Sequence, residues 1–300
     1  MSIQVKNAVK EYGAQKALND VSFTISSGEV VGFLGPNGAG KSTMMKIITC
    51  YLTKTSGSVE VCGYSVDKDP LEVKRRVGYL PENNPLYLDM YVKEFLAFIA
   101  GINKTPLKRV QEMIDITGLG PEQHKKINQL SKGYRQRVGL AQAIIHDPEV
   151  LILDEPTTGL DPNQLVEIRG LIKDLGKQKT VMLSTHIMQE VEMLCDRVII
   201  INKGNILTDQ PVEKLRQATQ SKAVMVRFDG TVNTSALRKL PGVLRVKKLD
   251  KGLLVESEKD LDLSKVLFQF AVDNKLSIEE SRPHEIGLEE VFRTLTTEEK

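Results

Sequence analysis

The spacing of hydrophobic positions changes along the chain. Short apolar runs in the first third, such as "VSFTI" and "VVGFLG", are punctuated by glycine and predict strands in mixed α/β structure. From about residue 86, "YVKEFLAFIA", "LKRVQEMIDITGLG" and "RQRVGLAQAIIHD" carry apolar residues at the three- and four-residue intervals of amphipathic helices. The later runs "VLILD", "TVMLS" and "RVIII" predict strands buried on both faces of a parallel sheet. The pattern therefore predicts an α/β domain over 1–217, with a helical subdomain inserted at about 83–150.

The pattern of elements begins again at about residue 218. "AVMVRF", a short helical stretch, "VLRVKKL", "GLLVESE", "LSKVLFQFAVDN" and "LSIEES" give the order βαββαβ. This order predicts a small ferredoxin-like α+β domain over 218–300. "GLEEVFRTLT" predicts one further amphipathic helix, and "TEEK" a frayed tail.

Composition narrows the setting of the protein. A formal charge of +2 over 300 residues gives no general electrostatic reason to expect nucleic acid or an anionic membrane surface as a partner. The three cysteines are odd in number, widely spaced and without a metal-ligand pattern, which fits a reducing compartment; we interpret Cys50, Cys62 and Cys195 as small core residues. No apolar run approaches the roughly 20 residues that span a bilayer. We therefore expect a cytosolic protein, or one held at a membrane by a partner.

The strongest chemical signal is "GPNGAGKS" at 35–42, which follows an apolar strand and leads into a helical pattern. It matches the P-loop motif, in which glycines let backbone N–H groups wrap a polyphosphate. Lys41 would neutralise the β- and γ-phosphates, and Ser42 would hold Mg²⁺. The predicted nucleotide-binding residues of this loop are Gly35, Pro36, Asn37, Gly38, Ala39, Gly40, Lys41, Ser42 and Thr43.

Two further motifs end apolar strands. "VLILDEP" supplies Asp154 and Glu155, which we expect to face opposite ways because they are neighbours on a strand. Asp154 would join the Mg²⁺ shell, and Glu155 would orient and deprotonate the attacking water. "LSTHIMQE" places His186 at the same edge of the sheet, where it could donate to the γ-phosphate. We interpret the other histidines, His124, His146 and His284, as structural.

Taken together and in this order, the P-loop, "LSKG", "LDEP", "GLDP" and "STH" resemble the ATP-binding cassette (ABC) ATPases over residues 1 to about 215. The resemblance implies that Tyr12 stacks on adenine and that Asp161 lies in a loop touching a second subunit. It implies that Ser131 and Gly133 close over ATP bound to that subunit. These two residues, with the positive end of a helix predicted at 135–145, would form an anion site. A homodimer joined head to tail around ATP is therefore expected.

The chain departs from the family pattern at three positions. Lys132 stands where the signature usually has glycine, Tyr134 where it has glutamine, and Glu82 in "GYLPEN" replaces a glutamine that helps to hold metal and water. A non-hydrolysing regulatory module is therefore one alternative. Because Ser131, Gly133, Glu155 and His186 are intact and a carboxylate at Glu82 can still ligate Mg²⁺, we favour an active ATPase.

The segments "YLPENNPLYLDMYVKEFLAF", "LDEPTTGLDPNQLVEIR" and "LEEVFRTLT" are similar to the gliding-motility-associated ATP-binding subunits of Bacteroidetes-type bacteria. This similarity implies an ABC exporter subunit that docks on a separate membrane permease, at the cytoplasmic face of a bacterial inner membrane. A translation or DNA-repair ABC ATPase is the other alternative. The sequence favours the exporter, because it shows no second P-loop and no sustained heptads.

The stretch that follows Glu82 offers apolar side chains close to the nucleotide motifs. Leu86, Leu88 and Met90 in "NNPLYLDMYVKEFL" fit either a surface that grips the permease or the core of the helical subdomain. Exposure of these side chains would favour docking.

Overall fold

A computed structural model describes residues 1–218, 222–230, 232–249, 252–257 and 261–284. The chain divides into two compact units, Met1–Val212 and Glu213–Lys300, slightly ahead of the boundary predicted after residue 217. The elements of the first unit are β1 (Ile3–Tyr12), β2 (Gln15–Ile25), β3 (Val30–Leu34), α1 (Lys41–Ile48), β4 (Ser56–Val61), β5 (Tyr64–Ser65), α2 (Pro70–Arg76), β6 (Val77–Leu80), α3 (Val92–Ile102), α4 (Lys108–Ile116), α5 (Lys132–Ile144), β7 (Val150–Asp154), α6 (Pro162–Gly176), β8 (Thr180–Thr185), α7 (Met188–Leu194), β9 (Arg197–Asn202) and β10 (Asn205–Pro211). Helix α8 (Val212–Ala218) follows.

A largely parallel sheet forms the centre of the first unit. Its strand order is β10-β9-β3-β8-β7-β6, with β10 antiparallel to β9 and the other described pairs parallel. Every residue of β3, β7 and β8 is buried, as the continuous apolar runs predict. A second sheet, β2-β1-β4-β5, is antiparallel.

The parallel sheet separates two hydrophobic cores, because successive side chains of a strand point to opposite faces. Val30 and Leu151 pack into the core shared with α3, α4 and α5. Their neighbours Val31 and Ile152 pack into the core shared with α1 and the antiparallel sheet. The sheet is thereby held rigidly from both sides, and its carboxyl edge presents the motif residues.

The inserted helices match the predicted amphipathic segments, but α5 starts earlier than expected. It begins at Lys132 instead of residue 135, because Ser131 caps it: the Ser131 hydroxyl accepts a hydrogen bond from the Tyr134 N–H at 3.3 Å. Gly133 therefore lies within the first turn of the helix.

The second unit consists of β11 (Lys222–Phe228), α9 (Thr234–Leu237), β12 (Val243–Leu249), β13 (Gly252–Ser257), α10 (Leu263–Asp273) and β14 (Ile278–His284). Its sheet order, β12-β13-β11-β14, with antiparallel pairing of the neighbours, is that of a ferredoxin-like fold and confirms the predicted class. The predicted "GLEEVFRTLT" helix and "TEEK" tail lie outside the described residues.

The three cysteines, expected to be small core residues, each pack against a hydrophobic core. Cys195 packs against the first core of the first unit, Cys50 and Cys62 pack against the second, and all three are free thiols. His146 makes a 3.2 Å contact from Nε2 to the Val77 carbonyl, and His124 is exposed. Across the parts of the chain that the structure describes, none of the helices combines the length and apolar character needed to cross a membrane.

Candidate nucleotide site

The P-loop connects the end of β3 to the start of α1. Gly40 caps the helix with a φ of 109°, and a side chain there would also collide with the Ala17 carbonyl oxygen, 2.6 Å from the position of a Cβ. Only glycine meets both conditions. The first N–H groups of α1 have no partner within the helix, so the loop ends at a site of positive potential suited to phosphate.

Asp154 and Ser42 lie side by side beneath this loop. Asp154 ends β7 and is 1% exposed; its Oδ1 accepts hydrogen bonds from the Ser42 hydroxyl at 3.1 Å and the Ser184 hydroxyl at 2.6 Å. Hydroxyl and carboxylate oxygens are the ligands that Mg²⁺ prefers when it also binds substrate phosphates. The chemistry of this donor pair fits the predicted Mg²⁺ site.

Glu155 does not continue the strand, so the expected alternation of neighbouring side chains does not apply to it. The strand ends at Asp154, and Glu155 has a left-handed backbone with a φ of 50°. Its N–H donates to the Ser184 hydroxyl at 2.9 Å. One hydroxyl on β8 therefore fixes both members of the acidic pair.

The Glu155 carboxylate contacts both Lys41 and His186. Its Oε1 lies 3.5 Å from Lys41 Nζ, and its Oε2 lies 3.0 Å from His186 Nδ1. Thr158 donates to Oε2 at 3.1 Å. Lys41 also donates to the carbonyl oxygens of Gly35 at 2.7 Å and Pro36 at 3.3 Å.

The histidine contact defines what His186 can do. An ionised carboxylate only accepts hydrogen bonds, so Nδ1 carries the hydrogen and Nε2 is left for other contacts. Donation from Nε2 to a γ-phosphate, as predicted, requires the doubly protonated ring.

A cavity of about 540 Å³ brings most of these groups to one surface. This volume lies in the usual range for sites that bind small molecules. Tyr12 is half-exposed at its edge, where its ring can stack on a base. The residues that line it are Tyr12, Gln15, Ala17, Asn37, Gly38, Ala39, Gly40, Lys41, Ser42, Thr43, Glu82, Glu155, Thr158 and His186.

Ser131, Gly133 and Asp161 form a second group that does not line this cavity. Gln164 links them: its N–H donates to Asp161 at 2.9 Å, and its side-chain amide lies 3.5 Å from the Ser131 hydroxyl. Asp161 caps α6 just as Ser131 caps α5. Lys132 lies directly over Gly159, since a Cβ on that glycine would be 2.1 Å from Lys132 Nζ.

Sequence reasoning missed the hydroxyl residues that connect the motifs. Ser184 and Thr158 hold the acidic pair, and each stands in a motif already quoted, "LST" and "PTT". Polar residues at the end of an otherwise apolar strand were the available signal, because buried hydroxyls need hydrogen-bond partners.

The fold and the site define a P-loop protein that binds a nucleoside triphosphate. Comparison with known proteins makes the class specific: the family described as "ABC transporter" matches residues 18–158. The chain is 35% identical over 301 residues to the uncharacterized ABC transporter ATP-binding protein YdbJ of Bacillus subtilis, covering 98% of this chain and 95% of YdbJ. It is 38% identical over 220 residues to the bacitracin transport ATP-binding protein BcrA of Bacillus licheniformis, covering 72% of this chain and 71% of BcrA.

Solved structures agree with these similarities. The dimeric structure of MJ0796, a bacterial ABC transporter cassette, is 28% identical with a TM-score of 0.65, covering 70% of this chain and 98% of MJ0796. The chain belongs to the ATP-binding proteins of ABC transporters. Proteins of this family bind and hydrolyse ATP, pair with membrane permeases and form dimers.

Proposed function

We propose that this chain is the ATP-hydrolysing subunit of a bacterial ABC exporter and that its chemistry depends on Glu155. The observation that carries the proposal is the buried position of this carboxylate between Lys41 and His186, beside Asp154 and Ser42. A carboxylate held at this point can accept a proton from a water that attacks the γ-phosphate.

The other residues of the cavity have separate tasks. Tyr12 stacks on adenine, the loop N–H groups and Lys41 hold the phosphates, and Ser42 and Asp154 hold Mg²⁺ with Glu82 at the rim. Held by these residues, Mg²⁺ would supply positive charge to the phosphate oxygens. Lys41 must exchange its contacts with the loop carbonyls and with Glu155 for bonds to phosphate, and loss of the ion pair frees Glu155 to act on water.

Two copies are proposed to complete each site head to tail, with Ser131, Gly133 and the start of α5 facing the γ-phosphate on the other copy. The Ser131 hydroxyl accepts hydrogen bonds, but among the described residues it donates to none. Its hydrogen is therefore available to a phosphate oxygen, next to the positive end of a 13-residue helix. Asp161 lies in the adjoining loop and is proposed to contact the same partner.

The test of hydrolysis compares the purified wild-type protein with Glu155→Gln. We expect the rate of phosphate release to fall by a factor of about 10² to 10⁴, with ATP affinity retained. Equal rates would refute the role of Glu155 and favour a regulatory module.

The head-to-tail arrangement is tested by mixing two inactive variants. In a mixed dimer of Lys41→Met and Ser131→Glu, one site combines the intact P-loop of one chain with the intact Ser131 of the other. We expect activity above the sum of the two separate variants. No gain, while both variants still bind each other, would contradict this arrangement.

The permease is proposed to dock beside Glu82. A groove of about 460 Å³ runs from Glu82 to Lys132 and is lined by Leu88. Leu88 is 47% exposed, whereas Leu86 and Met90 are half-buried and pack against the first core. Leu86 and Met90 therefore pack against the core, Leu86 also lines the groove, and Leu88 is the exposed leucine available to a partner. Exposed Tyr87 belongs to the same predicted stretch, and exposed Phe98, whose ring lies 5.7 Å from that of Tyr87, lies beyond it.

The docking test uses tagged Glu155→Gln protein in native cells, trapped with ATP and purified from solubilised membranes. A multi-helix membrane protein should copurify and be lost with the added change Leu88→Asp. Leu71→Asp is the matched control, because Leu71 is equally apolar and 70% exposed on α2. Recovery of ribosomes or DNA instead would refute the exporter assignment.

The cellular location and the role in gliding motility are proposed from the similarity to related proteins. The name of BcrA refers to bacitracin transport, and the motif similarity to gliding-motility subunits supports a motility exporter. The protein would lie at the cytoplasmic face of the inner membrane through its permease. Deletion of the gene should abolish spreading on agar, and complementation by Glu155→Gln should fail; normal spreading would refute the motility setting.

A further inference from the structure

A fully buried carboxylate lies behind the nucleotide site and does not line its cavity. Glu190 on α7 is 0% exposed. One of its oxygens, Oε1, accepts a hydrogen bond from the Thr157 hydroxyl, and the other, Oε2, accepts one from the Thr185 hydroxyl at 2.7 Å. Arg169 Nη2 lies 3.5 Å from Oε1 and supplies a compensating positive charge from α6. The two carboxylate oxygens therefore bridge two separate threonines.

Each threonine belongs to a segment that carries a predicted catalytic residue. Thr185 ends β8 and directly precedes His186; its hydroxyl also accepts the Ile187 N–H at 3.0 Å, so it fixes the backbone on both sides of the histidine. Thr157 is 4% exposed, stands two positions after Glu155, and lies in the loop that ends at Asp161. The bridge thus joins the His186 segment to the Glu155 segment from behind.

The chemistry of the bridge requires a carboxylate. Two hydroxyl donors and one guanidinium need acceptors on both oxygens, and a glutamine amide would offer one acceptor and one donor. Removing one acceptor leaves a buried hydroxyl to find another partner or stay unsatisfied. Glu190 touches neither Glu155 nor His186 in the described contacts, yet it joins the two segments whose side chains approach to 3.0 Å.

We propose that Glu190 is a positioning residue for ATP hydrolysis: the Thr157–Glu190–Thr185 bridge holds the Glu155 segment against the His186 segment. The same bridge connects both segments to the loop of Asp161, which faces the second copy in the proposed dimer. This inference rests on the proposed function, because it concerns the geometry of the same site.

The sharpest test removes one hydroxyl without changing side-chain shape. Thr185→Val is expected to lower kcat for ATP by a factor of about 10 to 100 while KM changes less than twofold, because small misplacements of catalytic groups affect chemistry more than binding. Thr185→Ser keeps the hydroxyl and should recover most of the rate. Thr157→Val and Thr157→Ser form the corresponding pair for the other arm.

Glu190→Gln tests the carboxylate itself and should lower kcat in the same way. If this variant fails to fold, comparison of the Thr→Val and Thr→Ser variants at positions 157 and 185 still tests the role of the bridge. Wild-type kcat in both Thr→Val variants would overturn the inference, as would a Thr185→Ser variant no better than Thr185→Val. Wild-type and Glu155→Gln proteins are assayed in parallel: a wild-type protein without ATPase activity would defeat the proposed function, whereas an active wild type with insensitive threonines would defeat only this inference.

Discussion

The ion pair between Lys41 and Glu155 should stabilise the nucleotide-free protein, so that substitutions at these two positions have non-additive effects on the free energy of unfolding. Both side chains are nearly buried, at 6% and 8% exposed, with Nζ and Oε1 3.5 Å apart. Lys41→Met keeps most of the aliphatic stem but leaves the carboxylate without its cation. Glu155→Gln removes the negative charge and leaves Lys41 bonded to the loop carbonyls.

The magnitude follows from the distance and the burial. With an effective dielectric constant of about 20, two unit charges at this separation attract by about 5 kcal/mol. Desolvation of two buried ions offsets much of this attraction, yet removing one partner of a buried pair costs about 3–5 kcal/mol. We expect Lys41→Met to lower the free energy of unfolding by about 3 kcal/mol, with a coupling energy of about 2 kcal/mol.

The assay is a double-mutant cycle by urea unfolding, followed by circular dichroism because the chain has no tryptophan. The exposed pair Lys177 and Asp174, 2.7 Å apart, is the control and should give a coupling of less than about 0.5 kcal/mol. A coupling equally small for Lys41 and Glu155 would show that the buried pair contributes nothing, and the reasoning would fail.

Three further predictions concern other parts of the first unit. Gly78→Ala should lower the free energy of unfolding by about 1–3 kcal/mol, because a Cβ would lie 2.1 Å from the Ala143 carbonyl oxygen. The control is Gly170→Ala, which lies in a helix with open space around it and should raise the free energy of unfolding by up to about 1 kcal/mol. Equal effects of the two substitutions in urea unfolding would contradict the clash at Gly78. Burial lowers the pKa of His146 below its ordinary value, so the unfolded chain takes up a proton first as pH falls. Stability should be full above the ordinary histidine pKa and fall below it by at most about 1.4 kcal/mol per pH unit, and His146→Gln should remove this part of the pH dependence of urea unfolding. Burial, with Glu149 nearby, raises the pKa of the Cys62 thiol to about 11. Iodoacetamide at pH 8 should therefore label Cys62 in the folded protein about a hundredfold more slowly than an ordinary thiol, and at the normal rate once urea unfolds the chain. Rapid labelling of Cys62 in the folded protein, measured by mass spectrometry, would contradict this prediction.

The parts of the fold that could be predicted are those that depend on residues close together in the sequence. The P-loop, the buried strands and the amphipathic helices each depend on spacing within a few residues. The start of α5 was placed too late because Lys132 and Gly133 interrupt the apolar pattern, although Ser131 is a preferred capping residue.

The parts that could not be predicted depend on contacts between distant residues. The left-handed backbone of Glu155 breaks the two-residue period that the strand suggests, and its N–H is bound by a hydroxyl 29 positions away. The bridge from Thr157 to Glu190 spans 33 positions. A single sequence gives residue types at such positions but not their pairing.

The left-handed backbone of Glu155 lowers stability at a position where activity requires a carboxylate. A left-handed conformation costs a non-glycine residue about 1–3 kcal/mol. Glycine or asparagine would adopt it more readily, yet neither has a carboxylate that can reach the γ-phosphate. Replacement by glycine would relieve this backbone strain but would also remove the ion pair with Lys41 and the carboxylate that acts on water, so the site keeps a strained residue because no unstrained one supplies the same charge.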